Sequence, residues 1–177
     1  MNVSPSKETI LKKIRKALSH PVAQPFPQSE GSSSVYKAPE DEDAVVFAEQ
    51  FSKLQGRFMY CINKQELAFQ LNSLIRKMDW QRVYCVEDEL IRQTGVNLEE
   101  RHVREDLAGC DVSITGCEFL VARTGSIVMS AGQKSGRTTS VYAPIHICIA
   151  WSHQLVHDVK DALQGMRDKY GNKLPSW

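Results

Sequence analysis

The sequence lacks the features that would assign it to a specialised class of protein. Its longest apolar runs, such as residues 145–151, are far shorter than the roughly 20 residues of a membrane-spanning helix. Because 22 lysine and arginine residues are balanced by 21 aspartate and glutamate residues, no broad charged field indicates nucleic acid or an anionic membrane as partner. With 177 residues, 42% of them hydrophobic, the chain predicts one ordinary globular core.

Motifs for metals, clusters and common catalytic sites are also missing. The odd number of cysteines and the lack of a CxxC pair predict buried, reduced thiols and no cofactor in this chain (Cys61, Cys85, Cys110, Cys117, Cys148). His153 and His157 lie four residues apart, but no third ligand follows from spacing, so we predict no metal site. Neither GxSxG nor GxGxxG is present, which leaves open whether the chain is an enzyme.

The N-terminal region predicts an amphipathic helix and then a tether. Residues 6–19 place isoleucine and leucine on one helical face and lysine and arginine opposite, without the continuous apolar stretch of a secretory signal. Residues 20–43 are rich in proline and serine, which favours an extended segment. We therefore predict a helix over 1–19, a tether over 20–43 and an α/β domain over 44–177. We expect a cytoplasmic protein, and a homo-oligomer formed through the N-terminal helix is left open.

Helix and strand patterns alternate in the first part of the predicted domain. Helices are predicted from Asp43 to Gly56, from the N-cap Asn63 to Met78, and over 87–93. Strands are predicted over 57–62, 81–86 and 102–104. Such alternation favours a mainly parallel sheet with helical crossovers.

The last third is richer in strand-forming residues. Strands are predicted over 111–115, 119–122, 126–130 and 145–150, with a hairpin whose turn uses Gly125. A closing helix is predicted from the N-cap Ser152 to Tyr170, before Gly171. The expected fold class is α/β, with a mainly parallel sheet and a β-hairpin-rich edge.

Residues 130–139, Ser-Ala-Gly-Gln-Lys-Ser-Gly-Arg-Thr-Thr, predict an anion-binding loop. Two glycines let backbone N–H groups converge, hydroxyls supply further donors, and Lys134 and Arg137 add positive charge. This combination suits a carboxylate or a phosphate, although the order of a Walker P-loop is absent. The alternative is a solvated loop without a fixed partner.

Several neighbouring residues allow two interpretations. The hydroxyls beside Gly125 either face a ligand or cap the backbone, and Arg123 is either a ligand contact or a surface residue at the hairpin tip. His146, on the same strand face as Cys148, is either a hydrogen-bonded core residue or a general base at a sheet end where α/β folds bind ligands. Asp111 either orients Arg137 or caps a turn. The predicted ligand-binding set is Thr124, Gly125, Ser126, Ser130, Lys134, Gly136, Arg137, Ser140 and His146.

Residues 111–150 resemble the LutC-type proteins of the LUD-domain family. The shared features are an Asp-initiated strand at Asp111, a Thr-Gly-Ser-Ile-Val turn and strand over 124–128, an arginine-containing loop at 136–137, and a Ser…Pro-x-His-Ile stretch over 140–147. One position departs from the family pattern, since the residue before Thr124 is usually acidic there and is Arg123 here.

The resemblance implies a fold similar to the sugar-phosphate isomerase and CoA-transferase group. It also implies a role in oxidising L-lactate to pyruvate, as an accessory or ligand-binding subunit beside partner proteins that carry iron–sulfur clusters. One alternative is a stand-alone isomerase or transferase acting on a phosphorylated or CoA-linked small metabolite. Another is a regulatory or scaffold module that recruits a partner through its N-terminal helix.

Overall fold

A computed structural model describes residues 5–19, 42–98, 101–171, 173 and 175. The chain divides into two compact units, Met1–Lys37 and Ala38–Trp177, which are described separately. In the first unit, helix α1 spans Pro5–Leu18, and Ile10 and Ile14 on its apolar face are about half exposed. The predicted tether lies almost wholly outside the described residues. No helix in the part that the structure describes is long and apolar enough to cross a membrane.

The centre of the second unit is a four-stranded parallel sheet. Its strands are β1 (Val83–Tyr84), β2 (His102–Val103), β3 (Val112–Thr115) and β6 (His146–Cys148), in the spatial order β2-β1-β3-β6. Val83 pairs with Val112, and Ser113 pairs with His146. Because the connections run through helices and loops on the sheet faces, the carboxyl ends of all four strands lie at one edge. The predicted parallel α/β sheet is confirmed.

Two helices bury one face of this sheet. Helix α3 (Lys64–Lys77) begins where the Asn63 side chain accepts a hydrogen bond from the Glu66 N–H, and α4 (Asp88–Thr94) ends at Gly95 in the left-handed conformation. Their apolar side chains pack with alternate strand residues. The resulting core contains Leu71, Ile75, Val83, Cys85, Leu90, Val112, Ile114 and Ile149.

A smaller three-stranded sheet forms the β-rich part of the unit. Its strands are β4 (Phe119–Val121), β5 (Ser126–Val128) and β7 (Leu155–Val156), in the order β5-β4-β7. The predicted hairpin is confirmed, because β4 and β5 pair antiparallel around a 3-10 turn at Ala122–Thr124. Helix α2 (Asp43–Lys53) packs on that turn, and α6 (Val159–Tyr170) packs on β4 and β7. Helix α5 (Thr139–Tyr142) is a single turn that precedes β6.

Two predicted elements differ in the structure. Residues 57–62 form no strand, because no strand among the described residues pairs with them. Phe58 packs edge-on against Phe47, while Met59, Tyr60 and Ile62 are largely exposed. The closing helix begins at Val159 rather than after Ser152. Strand pairing of β7 with β4 takes up the intervening residues, and Asp158 caps the helix instead. All five cysteines are free, but only Cys85, Cys110 and Cys117 are buried as predicted, whereas Cys61 and Cys148 are half-buried.

Candidate functional site

The face of the parallel sheet opposite α3 and α4 is polar. Along β3, Val112 and Ile114 point into the apolar core, whereas the alternate residues Ser113 and Thr115 carry hydroxyls and are completely buried. The register places His146 beside Ser113, so its side chain lies on the same polar face. Parallel sheets are ordinarily apolar on both faces, so this row of polar side chains requires a reason.

His146 is bonded within this row. Its Nε2 and the Thr115 hydroxyl oxygen share a hydrogen bond of 2.7 Å. Burial lowers the pKa of His146 below its ordinary value, so the imidazole is neutral at pH 7. The strand register confirms the predicted placement of His146 on the same strand face as Cys148, since the two are alternate residues of β6. A neutral imidazole can exchange a proton with a bound hydroxyl, and its role as a general base stays a prediction.

The glycine-rich loop lies over the polar face. The Ser113 hydroxyl donates to the Thr139 carbonyl over 3.3 Å, and the Thr139 hydroxyl donates to the Ser135 carbonyl over 2.5 Å. The Ser140 hydroxyl donates to the Arg137 carbonyl, and Gly136 adopts a φ of +61° that permits the tight turn. These bonds connect the predicted anion-binding loop to the sheet that carries His146.

This loop also presents groups that have no partner among the described residues. Ser135 is 6% exposed, and its hydroxyl oxygen is buried without a hydrogen bond in the described part of the chain. Lys134 and Arg137 are exposed, and neither forms an ion pair with another described residue. A buried orphan hydroxyl and two available cations have the chemistry of an anion receptor.

Two side chains that the sequence analysis missed, those of Glu87 and Gln133, lie at the carboxyl end of β3. Glu87 follows β1, and its Oε1 accepts a hydrogen bond of 3.2 Å from the Gly116 N–H. A Cβ atom placed on Gly116 would lie 3.2 Å from Glu87 Oε2 and 4.0 Å from Gln133 Nε2, so both side chains approach this glycine. The available signal was positional, because residues directly after neighbouring parallel strands meet at one sheet edge.

The same edge holds two thiols. A hydrogen bond with the Cys117 thiol, burial and the nearby Glu87 carboxylate raise the pKa of Cys148. Cys148 is therefore a thiol rather than a thiolate at neutral pH, which does not suit a nucleophile.

Ser130 is held in a polar cluster at the start of the loop. Its hydroxyl donates to Glu118 over 2.5 Å, while the Tyr170 hydroxyl and the Lys169 ammonium each donate to the same carboxylate over 2.6 Å. Burial alone would raise the pKa of Glu118, but these three hydrogen bonds outweigh it and lower the pKa. The cluster attaches the loop to α6 and accounts for Ser130 without a ligand. Ligand binding by Ser130 stays a prediction.

The Thr-Gly-Ser turn has a packing role. Gly125 has a φ of +62°, and a Cβ atom there would lie 2.7 Å from the backbone nitrogen of Phe51 in α2. The Thr124 hydroxyl is buried without a partner in the described residues, and Ser126 is exposed. No hydrogen bond between described residues connects this turn with His146 or with the loop that carries Arg137. Ligand contacts by the three turn residues stay a prediction.

The structure gives two further residues specific partners. Arg123 lies exposed in the hairpin turn, and its guanidinium forms two hydrogen bonds with Asp158, of 2.7 and 3.3 Å, so a ligand contact by it stays a prediction. Asp111 caps a turn, because its Oδ2 accepts hydrogen bonds from the backbone N–H groups of Gln81 and Arg82. His157 bonds to Asp43. Among the residues that the structure describes, no group of three or more potential ligands is placed to hold a metal ion.

Comparisons with known proteins agree with this architecture. The model of the LUD domain family matches residues 33–176. Among solved structures, the chain is similar to a DUF162 family protein from Deinococcus radiodurans, with 20% identity and a TM-score of 0.53 over 75% of this chain and 85% of that one. At this identity the likeness concerns the fold alone. No curated protein matches the chain.

Proposed function

Because the chain belongs to the LUD domain family, we propose that it is a LutC-like component of a system that oxidises L-lactate to pyruvate. In this proposal it is a cytoplasmic ligand-binding or accessory subunit without a redox cofactor of its own. Iron–sulfur clusters would reside in its partner proteins. Its ligand is a small carboxylate bound under the glycine-rich loop.

The polar sheet face beneath that loop is the observation that carries the proposal. Ser113 and the Thr115–His146 pair form their hydrogen bonds with the loop and within this face, so their burial is offset and the loop is held beside the strand that carries the imidazole. A ligand above this face would meet donors from the loop and the neutral imidazole from the sheet. Arg137 supplies a planar guanidinium that matches the two oxygens of a carboxylate.

The first test is calorimetric titration of the full chain with L-lactate, pyruvate, and a panel of sugar phosphates and acyl-CoAs. Saturable binding of L-lactate or pyruvate is expected. Replacing Arg137 by alanine should weaken it at least about tenfold, because a charge-assisted pair is lost. Arg167→Ala is the matched control, since Arg167 is an exposed arginine on α6. Binding only of a sugar phosphate or acyl-CoA would favour the isomerase or transferase alternative.

The second test concerns partners. Anaerobic affinity purification of the tagged protein from its native host grown on lactate should yield cysteine-rich partner proteins and iron absorbance. Colourless protein purified alone would contradict the accessory role. A growth test is complementary, because unimpaired growth on lactate after deletion of the gene would also oppose it.

The N-terminal helix is proposed to mediate association. Its apolar residues Ile10 and Ile14 are 55% and 48% exposed, and a 14-residue helix is only marginally stable in water by itself. The expected result is an oligomer in light-scattering measurements that becomes a monomer when both isoleucines are replaced by aspartate. A monomeric wild-type chain would refute this.

A further inference from the structure

Two side chains from different elements approach one position beside Gly116, at the carboxyl end of β3. A Cβ atom placed on this glycine would lie 3.2 Å from Glu87 Oε2, 4.0 Å from Gln133 Nε2 and 4.0 Å from the Ile149 carbonyl oxygen. Glu87 stands just before α4, and Gln133 belongs to the glycine-rich loop. A carboxylate acceptor and an amide donor therefore meet at one position, which we call the Gly116 niche.

Glu87 is held in place by the backbone of the niche. Its Oε1 accepts a hydrogen bond of 3.2 Å from the Gly116 N–H, so Oε2 is the oxygen that lies nearest the position of the missing methyl group. The residue is half-buried, and partial exclusion of water strengthens a hydrogen bond made to a carboxylate. Glu87 thus presents one oriented acceptor to the niche.

Gln133 is oriented by the start of its own loop. Its Oε1 accepts a hydrogen bond of 3.0 Å from the Ser130 N–H, and the Ser130 hydroxyl is bonded to the buried carboxylate of Glu118. Because the amide oxygen is engaged by a donor, the amide group presents Nε2, which carries two N–H donors, toward Gly116. The donor of the niche is therefore set by a network that needs no ligand to form.

We propose that the Gly116 niche recognises the hydroxyl group of a 2-hydroxycarboxylate. A hydroxyl group both donates and accepts, so it can donate to Glu87 Oε2 while it accepts from Gln133 Nε2. A keto oxygen only accepts, and beside Glu87 it places a lone pair against a carboxylate. A ligand with no oxygen at that carbon leaves both protein groups unpaired. The niche thereby favours the hydroxy acid over the corresponding 2-oxo acid.

This inference rests on the proposed function, since it takes the ligand to be a small carboxylate. The carboxylate group of such a ligand is repelled by Glu87 and must face the cations that the proposed function assigns to it. Glu87 and Gln133 then determine which group is accepted at the neighbouring carbon. In a system that oxidises L-lactate, this selectivity favours binding of the substrate and release of the product.

Calorimetric titration of the full chain with L-lactate, propionate and pyruvate tests the proposal, because these acids differ only at the carbon next to the carboxylate. The wild type should bind L-lactate at least about tenfold more tightly than either of the others, since both lack the hydrogen bond to a charged group. Glu87→Gln should abolish this preference. The glutamine keeps an acceptor for the Gly116 N–H and gains a donor that suits a keto oxygen.

A second variant tests the niche by filling it. Gly116 is not among the glycines with a positive φ, so alanine adds no left-handed strain, and its methyl group would lie 3.2 Å from Glu87 Oε2. Gly116→Ala should reduce the affinity for L-lactate to that for propionate. Glu89→Gln is the matched control, because it removes the same charge from an exposed residue in the first turn of α4. It should leave the preference unchanged.

The possible failures can be told apart. Equal affinity of the wild type for L-lactate and propionate, with both lost in Arg137→Ala, would overturn this inference and leave the proposed carboxylate site intact. A preference for L-lactate that persists in Glu87→Gln and in Gly116→Ala would also overturn it. No binding of any of these acids would refute the proposed function, and the assignment of the niche with it. The wild-type ratio needs no variant, so the proposal can be refuted even if a substitution prevents folding.

Discussion

Replacing Gly125 by alanine should destabilise the protein far more than the same replacement at Gly136. Both glycines have a φ near +60°, so alanine meets the same left-handed backbone penalty of about 1–2 kcal/mol at each position. Only at Gly125 does the added methyl group meet another element. It would lie 2.7 Å from the Phe51 backbone nitrogen, whereas at Gly136 no atom of a described residue other than its chain neighbours lies within 4 Å.

The size of the difference follows from that close approach. Backbone atoms of α2 cannot rotate away as a side chain can, so the helix must shift, which costs about 1–3 kcal/mol as an overpacking strain. Gly125→Ala should therefore cost about 2–5 kcal/mol and Gly136→Ala about 1–2 kcal/mol.

Urea unfolding of both variants, followed by circular dichroism, measures these costs. With a slope of about 2 kcal/mol/M, the midpoint should fall by about 1–2.5 M for Gly125→Ala and by no more than about 1 M for Gly136→Ala. The slope itself should stay constant if both states keep their compactness. Equal losses in the two variants would refute the conclusion that the Thr-Gly-Ser turn exists to let α2 approach.

Three further predictions concern buried charge and titration. Because hydrogen bonds led by Lys169 lower the pKa of Glu118, Glu118→Gln should cost about 1–3 kcal/mol at neutral pH. That cost should disappear as the pH falls from about 4.3, the pKa of glutamate in the unfolded chain, through the lower pKa of Glu118 in the folded protein. A cost that persists below both pKa values would contradict this prediction. Burial lowers the pKa of His146, so its NMR titration midpoint should lie below about 6.5, the pKa of an unperturbed histidine. Folding stability should decrease as the pH falls from about 6.5 through the lower pKa of the folded protein. A midpoint above about 6.5 would contradict this prediction. Removing the guanidinium in Arg123→Ala should raise the pKa of Asp158 toward its ordinary value in a carbon-13 carboxyl titration, and an unchanged pKa would show that the pair is not formed in solution.

Much of the fold follows from local patterns in the sequence. The β-rich composition of residues 111–115 correctly predicts a strand, and Asn63 correctly predicts a helix start. These features are local, because a strand face or an N-cap is determined by residues within a few positions.

The predictions fail where the structure of a segment depends on a pairing partner that is distant in the sequence. Residues 57–62 have the composition of a strand, yet a strand exists only where a neighbouring strand accepts its backbone groups. Helix α6 begins later in the sequence than predicted, because Leu155 and Val156, which also fit a helix face, pair with β4 instead. Neither partner can be read from the segment itself.

The candidate site was predictable only in part. The glycines and cations of the loop, and the strand face that His146 shares with Cys148, are visible in the sequence, since they depend on spacing. Glu87 and Gln133 were missed because they lie 29 and 17 positions from Gly116 and meet only through the strand order. The pairing of Glu118 with Lys169 and Tyr170 similarly depends on where α6 packs.

The segment that resembles the LUD-domain family separates into two parts in space. The hairpin positions two helices. Arg123 pairs with Asp158, the N-cap of α6, and Gly125 allows α2 to pack closely against the turn. The loop with Arg137 is joined to the polar sheet surface by the hydrogen bond between Thr139 and Ser113, and Ser113 pairs with His146 in the neighbouring strand. Arg123 therefore attaches the start of α6 to the hairpin. Substitutions in the hairpin should accordingly act first on stability, whereas substitutions in the loop should act first on the proposed ligand site.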